Sequence, residues 1–199
     1  MKIYILRHED RTQDCSLFAP LTKVGLEKSV KLIEPLKSCR IDTIMSSPFI
    51  RTLQTIYPYA KENNIKIQLE YGLSEIHHED LIPKKAVGIS LPEYVAESFN
   101  YDPEYKTIIK PTDISYPEKN EQVNKRVKHI LKKIILKYYG SDTPILLVTH
   151  QTQCSCILSI VNKNSREFAN KLDEDTINNY NKGKLCLIFN DEWTYKPIN

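Results

Sequence analysis

The order of local patterns along these 199 residues constrains the fold more than any single motif does. Short, continuous apolar runs with β-branched residues are typical of buried strands, and they occur at residues 3–6, 41–45, 65–69, 144–148 and 185–189. Segments with a helical spacing of apolar residues separate these runs. Strands that alternate with helices pair into a mainly parallel sheet covered on both faces. The sequence therefore predicts a three-layer α/β/α fold.

Two helix starts are marked by residues suited to capping. Thr22 is expected to cap the first helix, and Ser47 to cap the helix after the second strand, with Pro48 at its first position. Another helix is predicted across residues 154–161. The apolar positions of the first helix are Leu26, Val30 and Ile33.

A long helix is predicted from residue 118 onward. Its apolar positions share one face: Val123, Val127, Ile130, Leu131, Ile134 and Ile135. Its basic positions are Lys125, Arg126, Lys128, Lys132, Lys133 and Lys137. We interpret the basic residues as a solvated helix face rather than a nucleic-acid patch, because no aromatic residues are interleaved with them. The formal net charge of +3 is also too small to argue for nucleic acid.

Residues 73–117 interrupt this regular pattern. Five prolines break the segment: Pro83, Pro92, Pro103, Pro111 and Pro117. Irregular structure with one or two short helices is expected there. We predict that it forms a lid or a substrate-facing insertion within a single domain that spans residues 1–199, since this length is close to that of one ordinary domain.

Composition excludes several kinds of site and compartment. The chain has only five glycines and they are scattered, which excludes a dinucleotide fingerprint or a Walker-type phosphate loop. Its five cysteines form no C-x-x-C pair, so neither a zinc site nor a disulfide framework is indicated. The first apolar run is too short for a signal peptide or a membrane span, and we expect a cytoplasmic protein.

Basic residues concentrate where the predicted strands end. Arg7 and His8 follow the first strand, and His150 follows the fourth. Arg51 falls in the first turn of the helix after the second strand, and Arg11 follows His8 by three positions. Ligands of open α/β sheets bind at the carboxyl ends of the strands, and forked guanidinium groups match phosphate oxygens. We therefore predict a site for a phosphoryl group.

Five ordered motifs extend this pattern over most of the chain. They are Leu6-Arg7-His8 with Arg11, Pro20-Leu21-Thr22-x-x-Gly25, Ser47-Pro48-x-x-Arg51-x-x-Gln54-Thr55, Gly72-Leu73-Ser74-Glu75 and Val148-Thr149-His150. With these motifs the chain resembles the histidine phosphatase superfamily, whose fold is called phosphoglycerate mutase-like. Arg11 makes it most similar to the branch that contains the Sts-type phosphatases.

The resemblance implies a role for each residue of the site. His8 would be the nucleophile and would form a phosphohistidine that water hydrolyses. Glu75 would protonate the leaving oxygen and then activate the water. The implied activity is that of a metal-independent phosphatase without an organic cofactor, and its substrate would be a phosphorylated small molecule or a phosphopeptide. The side chains that would hold the phosphate oxygens are Arg7, Arg11, Arg51 and His150.

Two residues depart from the family pattern. Glu9 and Gln151 follow the two histidines, where the family usually has glycine. A carboxylate beside a phosphate pocket repels the substrate, so two functions stay open: a phosphatase, or a phosphate-binding or scaffolding module with weakened turnover. A phosphoglycerate mutase is less favoured, because the segment after Glu75 lacks the longer substrate-binding motif of those enzymes.

A second cluster of possible ligands follows Glu75 directly. His77, His78, Glu79 and Asp80 are candidate metal ligands, but adjacent histidines on a loop usually point apart and the spacing matches no zinc motif. No metal site is predicted. We expect neither a nucleic-acid nor a membrane partner, and a homodimer stays open.

Overall fold

A single six-stranded sheet forms the centre of the molecule. The structure, a computed structural model, describes residues 1–14, 16–80, 82–84, 87–88, 90–165 and 172–199. The strands are β1 (Lys2–Arg7), β2 (Thr43–Ser46), β3 (Ile67–Leu69), β4 (Pro144–Thr149), β5 (Leu185–Asn190) and β6 (Trp193–Pro197), in the order β3-β2-β4-β1-β5-β6. The first four strands of that order are parallel, and β5 and β6 add an antiparallel edge. The predicted mainly parallel sheet is confirmed.

Helices cover both faces of the sheet. They are α1 (Lys23–Lys31), α2 (Ile33–Ser38), α3 (Ile50–Glu62), α4 (Glu93–Ala96), α5 (Asn120–Tyr138), α6 (Gln151–Asn164) and α7 (Glu174–Asn178). Side chains of β1 alternate between the faces, as a strand requires. Ile3 and Ile5 join the core beneath α5 and α6, whereas Tyr4 and Leu6 join the core beneath α2 and α3. The predicted three-layer arrangement is therefore also confirmed.

The first predicted helix is divided into two. Thr22 caps α1 as expected, since its Oγ1 accepts a hydrogen bond from the Gly25 amide at 3.1 Å. The helix stops at Lys31, however, and a separate helix α2 begins at Ile33. Pro35 explains the interruption, because proline has no amide proton to donate to the preceding turn.

The apolar residues of α1 that the sequence singles out, Leu26 and Val30, face outward. Leu26 and Val30 are 43% and 55% exposed, and the buried residues of the helix are Gly25 and Ser29. A Cβ atom at Gly25 would lie only 2.1 Å from the Asp10 carbonyl oxygen. Small residues thus let α1 approach the loop that follows β1.

The helix after β2 begins two residues later than predicted. Ser47 is not its N-cap and Pro48 is not its first residue, because α3 begins at Ile50 after Phe49. The physical reason is that the Ser47 hydroxyl lies 2.8 Å from a ring nitrogen of His150 instead of capping the helix.

The long helix α5 shows the predicted apolar face with one correction. Five of its six predicted apolar positions are buried: Val123, Val127, Ile130, Leu131 and Ile134. The neighbouring lysines are exposed, but Arg126 is buried and does not belong to the solvated face.

The proline-rich segment is irregular, as predicted. Within it the structure shows α4 and short 3-10 turns at Glu97–Phe99 and Pro111–Asp113. Its role as a lid stays a prediction. Cys15 lies outside the described residues, and the other four cysteines are free and buried. Among the helices that the structure describes, none is long and apolar enough to cross a membrane.

Candidate active site

The carboxyl ends of β1 and β4 bring two histidines together. The strands pair with Arg7 opposite Thr149, and the His8 amide donates to the Thr149 carbonyl oxygen at 3.0 Å. The His8 and His150 rings lie edge to face with their centroids 5.3 Å apart. Both side chains are buried. The two strand ends that carry the predicted histidines are therefore adjacent.

A backbone contact determines which ring nitrogen of His8 carries the proton. Nδ1 lies 2.7 Å from the Glu9 carbonyl oxygen, which can only accept a hydrogen bond, so Nδ1 is the protonated nitrogen. Burial, followed by the positive charge of Arg51, lowers the pKa of His8 to about 3. The ring is therefore neutral near pH 7, with its lone pair on Nε2.

Ser47 contacts one ring nitrogen of His150. Its Oγ accepts a hydrogen bond from the Phe49 amide at 3.4 Å and lies 2.8 Å from His150 Nε2, so the hydroxyl proton is available to that nitrogen. With the Ser47 hydroxyl as donor to Nε2, Nδ1 carries the ring proton. Nδ1 is buried, lies 3.6 Å from a Glu75 carboxylate oxygen and has no hydrogen-bond partner among the described residues. Burial lowers the pKa of His150 well below its usual value, so His150 is a neutral donor.

Arg51 lies in the first turn of α3 with its side chain buried. Its exposure is 1%, and Nη1 donates to the Ser16 carbonyl oxygen at 3.0 Å. The guanidinium carbon lies 4.5 Å from the centre of the Phe49 ring, and Nη2 lies 3.7 Å from Glu75 Oε2. A buried guanidinium at a helix N-terminus favours the binding of an anion.

Gln151, one of the two departures from the family pattern, holds Arg7. Arg7 Nη1 donates to Gln151 Oε1 at 2.5 Å and to the Tyr180 carbonyl oxygen at 2.6 Å. Gln151 Nε2 in turn donates to the Asn178 carbonyl oxygen at 2.6 Å and to Ser155 Oγ at 3.1 Å. Burial lowers the pKa of Arg7, and its Nε has no hydrogen-bond partner within the described ranges. Gln151 thus fixes the orientation of this guanidinium.

Glu9, the other departure, packs against a different part of the molecule. A Cβ atom at Gly183 would lie 1.8 Å from Glu9 Oε1, so this carboxylate occupies space that glycine leaves open. Burial raises the pKa of Glu9, and the nearby positive charges are those of Lys28 and Lys182. The side chains whose charges shift the pKa of His8 are those of arginines. The Glu9 carboxylate therefore packs against Gly183, and the positive charges that act on it are those of lysines.

Glu75 reaches His150 and Arg51 from a separate element. It follows the 3-10 turn Tyr71–Leu73, which continues from β3, and its side chain is 14% exposed. One carboxylate oxygen lies 3.7 Å from Arg51 Nη2 and 3.6 Å from His150 Nδ1. The other oxygen accepts a hydrogen bond from the Ile76 amide at 3.1 Å. A carboxyl group at this place can exchange a proton with a group bound between the arginine and the histidines.

Arg11 lies at the edge of this group. Its Nη1 donates to three carbonyl oxygens of its own loop, those of Thr12, Gln13 and Asp14, at 2.7, 3.2 and 3.1 Å. Its charge contributes to the lowered pKa of both His8 and Arg7. Arg11 thus adds positive potential to the site while its side chain also stabilises the loop after β1.

Sequence reasoning missed a buried ion pair behind Glu75. Glu118 and Arg126 are 3% and 6% exposed, and Arg126 Nε donates to Glu118 Oε1 at 2.8 Å. The only signal in the sequence is the spacing of these residues at the start of the long helix, which by itself indicates no role. The pair contacts the loop that carries Glu75.

The possible metal ligands after Glu75 point apart, as the sequence indicated. His77 is buried and burial lowers its pKa to about 4, whereas the exposed His78 pairs with Asp80 at 3.2 Å. Among the described residues no group of three histidine, cysteine, aspartate or glutamate side chains is arranged to hold a metal ion.

Comparison with known proteins identifies the family. The sequence model of the histidine phosphatase superfamily (branch 1) matches residues 3–179, and the chain belongs to this superfamily. Among curated relatives, Ubiquitin-associated and SH3 domain-containing protein B is 26% identical in Mus musculus and 27% identical in Homo sapiens. Each match covers 75% of this chain and 25% of the relative, so the chain spans about a quarter of the length of the curated relatives it matches.

Solved structures show the same fold at low sequence identity. The ecdysone phosphate phosphatase of Bombix mori, in complex with tungstate, is 14% identical with a TM-score of 0.73, over 98% of this chain and 91% of that one. YhfR of Bacillus stearothermophilus is 18% identical with a TM-score of 0.66, over 98% and 94% of the two chains. At these identities the likeness concerns the fold.

Proposed function

We propose that this chain is a metal-independent phosphomonoesterase that acts through a phosphohistidine on His8. One observation carries the proposal: a neutral His8 with its lone pair on Nε2 lies near the buried Arg51 and the half-buried Arg7, and the Glu75 carboxylate lies 3.7 Å from Arg51. The arginines supply the positive charge that stabilises a transferring phosphoryl group. Membership of the histidine phosphatase superfamily supports the same activity.

In the first step the His8 Nε2 lone pair attacks phosphorus while the bond between phosphorus and the ester oxygen breaks. The Glu75 carboxyl group gives its proton to that oxygen, so the alcohol leaves uncharged. Arg7, Arg51 and His150 Nδ1 donate to the phosphate oxygens. The products of this step are the alcohol, a phosphohistidine and the Glu75 carboxylate.

In the second step water restores the enzyme. The Glu75 carboxylate takes a proton from water as the water oxygen attacks phosphorus and the nitrogen–phosphorus bond breaks. Phosphate leaves, the lone pair returns to His8, and Glu75 is protonated again. The same carboxyl group thus serves as acid and then as base.

The substrate class follows from the site and from proteins of the same fold. One of them is a phosphatase of ecdysone phosphate and another is an alpha-ribazole phosphatase, so the alcohols differ widely while the phosphoryl group is shared. We infer that the substrate of this chain is a phosphorylated small molecule or a phosphopeptide, recognised first through its phosphoryl group.

The test is hydrolysis of p-nitrophenyl phosphate in the presence of EDTA. His8→Ala is compared with His129→Ala, whose histidine is exposed on α5. We expect His8→Ala to lose at least about 10⁴-fold in kcat/KM and His129→Ala to match wild type, because loss of a nucleophile removes the covalent path. An acid-labile phosphoprotein should form in wild type and be missing in His8→Ala.

Three results would contradict the proposed function. A wild-type protein no faster than His8→Ala is not a phosphatase of this kind, and binding of inorganic phosphate without turnover would favour the scaffolding module. Loss of activity in EDTA would contradict the metal-independent mechanism.

A further inference from the structure

A buried, doubly hydrogen-bonded ion pair joins Arg126 of α5 to Glu118, which lies two residues before that helix. Arg126 Nε and Nη2 donate to the two oxygens of Glu118 at 2.8 and 2.6 Å. This side-by-side geometry fixes the plane of the guanidinium as well as its charge. A buried ion pair adds little net stability over apolar residues of the same volume, so its contribution to the fold alone does not account for it.

The third nitrogen of Arg126 binds the loop that carries Glu75. Nη1 donates to the Gly72 carbonyl oxygen at 2.8 Å and to the Ser74 carbonyl oxygen at 2.9 Å. The Ser74 carbonyl belongs to the peptide bond that joins Ser74 to Glu75. Arg126 therefore fixes the backbone immediately before the proposed acid.

Glu118 binds the same loop on the other side of Glu75. Its Oε2 accepts the His77 amide at 3.2 Å, and its own amide donates to the His77 carbonyl oxygen at 2.8 Å. On the Arg126 side the loop also packs closely against α5, because a Cβ atom at Gly72 would lie 1.8 Å from a side-chain carbon of Ile130. The pair therefore holds the loop both before and after Glu75.

We propose that Arg126 and Glu118 are positioning residues, which hold the Glu75 carboxyl group where it can protonate the leaving oxygen. The inference rests on the proposed function, in which Glu75 is the general acid. The side-chain hydrogen bonds of Arg126 and Glu118 go to each other and to the backbone of the Glu75 loop. A displacement of about 1 Å at a reacting group can cost about 10²-fold in rate, so a loosened loop is expected to impair proton transfer.

Leaving-group chemistry separates this role from a structural one. An alkyl alcohol needs a proton to leave, whereas 2,4-dinitrophenolate leaves without one. A variant with a displaced Glu75 should therefore lose activity on alkyl phosphates much more than on 2,4-dinitrophenyl phosphate. A variant that merely unfolds in part should lose the same factor on both substrates.

The test compares Arg126→Met with wild type on 2,4-dinitrophenyl phosphate and on phenethyl phosphate. First-turnover rates are used, so that slow hydrolysis of the phosphoenzyme does not mask the first step. We expect the loss on phenethyl phosphate to exceed the loss on dinitrophenyl phosphate by about 10²-fold. Lys125→Met, which changes the exposed neighbouring residue, is the matched control and should change neither rate. Equal losses on the two substrates, or no loss, would overturn the proposal.

Further variants keep the test decisive if Arg126→Met folds poorly. Arg126→Met combined with Glu118→Leu removes both charges together and avoids an unpaired buried carboxylate. It should show the same selective loss, and Arg126→Lys should recover only part of the activity, because one ammonium cannot replace the forked contacts.

Glu75→Gln distinguishes failure of this inference from failure of the proposed function. If Glu75→Gln is selective for the better leaving group and Arg126→Met is not, only the positioning role is overturned. If Glu75→Gln shows no such selectivity, Glu75 is not the acid and both fall. When both residues act through one step, combining Glu75→Gln with Arg126→Met should give no further selectivity.

Discussion

His8 and His150 lie directly at the ends of β1 and β4, whereas Glu75 lies on a loop that has already left β3. We call the first group, with Arg7 and Arg51, the phosphate half of the site, and the Glu75 loop the acid half. The phosphate half is fixed by the central sheet and the first turn of α3. The acid half depends on contacts from α5, which is remote in sequence. Changes in the two halves should therefore affect different substrates.

After loss of the nucleophile His8 itself, the largest effect is expected from Arg51, in the phosphate half. Arg51→Met removes a buried guanidinium from the proposed phosphoryl site, and loss of one such donor costs about 10²–10³-fold in kcat. Because every substrate shares the phosphoryl group, the loss should be similar for alkyl and dinitrophenyl phosphates. Arg40→Met, which changes an exposed arginine, is the control. A loss confined to the poorer leaving group would place Arg51 in the acid half instead.

Buried histidines in both halves make the free energy of unfolding depend on pH. The pKa of His8 is about 3 and that of His77 is about 4 in the folded chain, and that of His150 is also lowered, against about 6.5 when unfolded. Between these values the unfolded chain binds more protons than the folded one. The free energy of unfolding should therefore fall as pH drops from about 6.5 toward 4.

His77→Gln tests how much the acid half contributes to the pH dependence of the free energy of unfolding. Each pKa unit of difference corresponds to about 1.4 kcal/mol, so removal of this histidine should flatten the pH dependence by about 2 kcal/mol at pH 5. Urea unfolding at pH 7, 6 and 5 measures the slope. Arg126 and Glu118 face the ring with opposite charges, and burial is the larger cause of its low pKa. An unchanged slope would mean that His77 is not buried in its neutral form.

The two halves also differ in how far the sequence predicts them. The positions of His8 and His150 follow from strand ends and parallel pairing, which local patterns indicate well. Periodicity groups Arg126 with exposed lysines because it describes one helix alone, and the burial of Arg126 depends on a loop more than 50 residues earlier. For the same reason the local pattern at Ser47 predicts a helix cap, since only the folded chain brings His150 to its hydroxyl.

Thr149→Val is expected to have a smaller effect, at the junction of the halves. The Thr149 hydroxyl donates to the Leu73 carbonyl oxygen at 2.7 Å and ties β4 to the turn before Glu75. Valine has nearly the same shape, so the change removes one buried hydrogen bond, worth about 1 kcal/mol of unfolding free energy. Denaturant unfolding checks this value. The accompanying loss of activity should be greater on alkyl than on dinitrophenyl phosphates, and an equal loss on both would show that this tether does not serve the acid.

Gln151→Gly, which restores the usual family residue, should have the smallest effect. It removes the acceptor for Arg7 Nη1, but the Tyr180 carbonyl oxygen still accepts from the same nitrogen. One hydrogen bond of two is lost, so we expect kcat/KM to fall by only about threefold, on all substrates alike because Arg7 belongs to the phosphate half. Steady-state kinetics on phenethyl phosphate and on 2,4-dinitrophenyl phosphate measures this change. A rise in kcat/KM would instead mean that Gln151 obstructs the pocket, the effect expected of a bulky residue where the family has glycine, and would show that its contact with Arg7 does not assist catalysis.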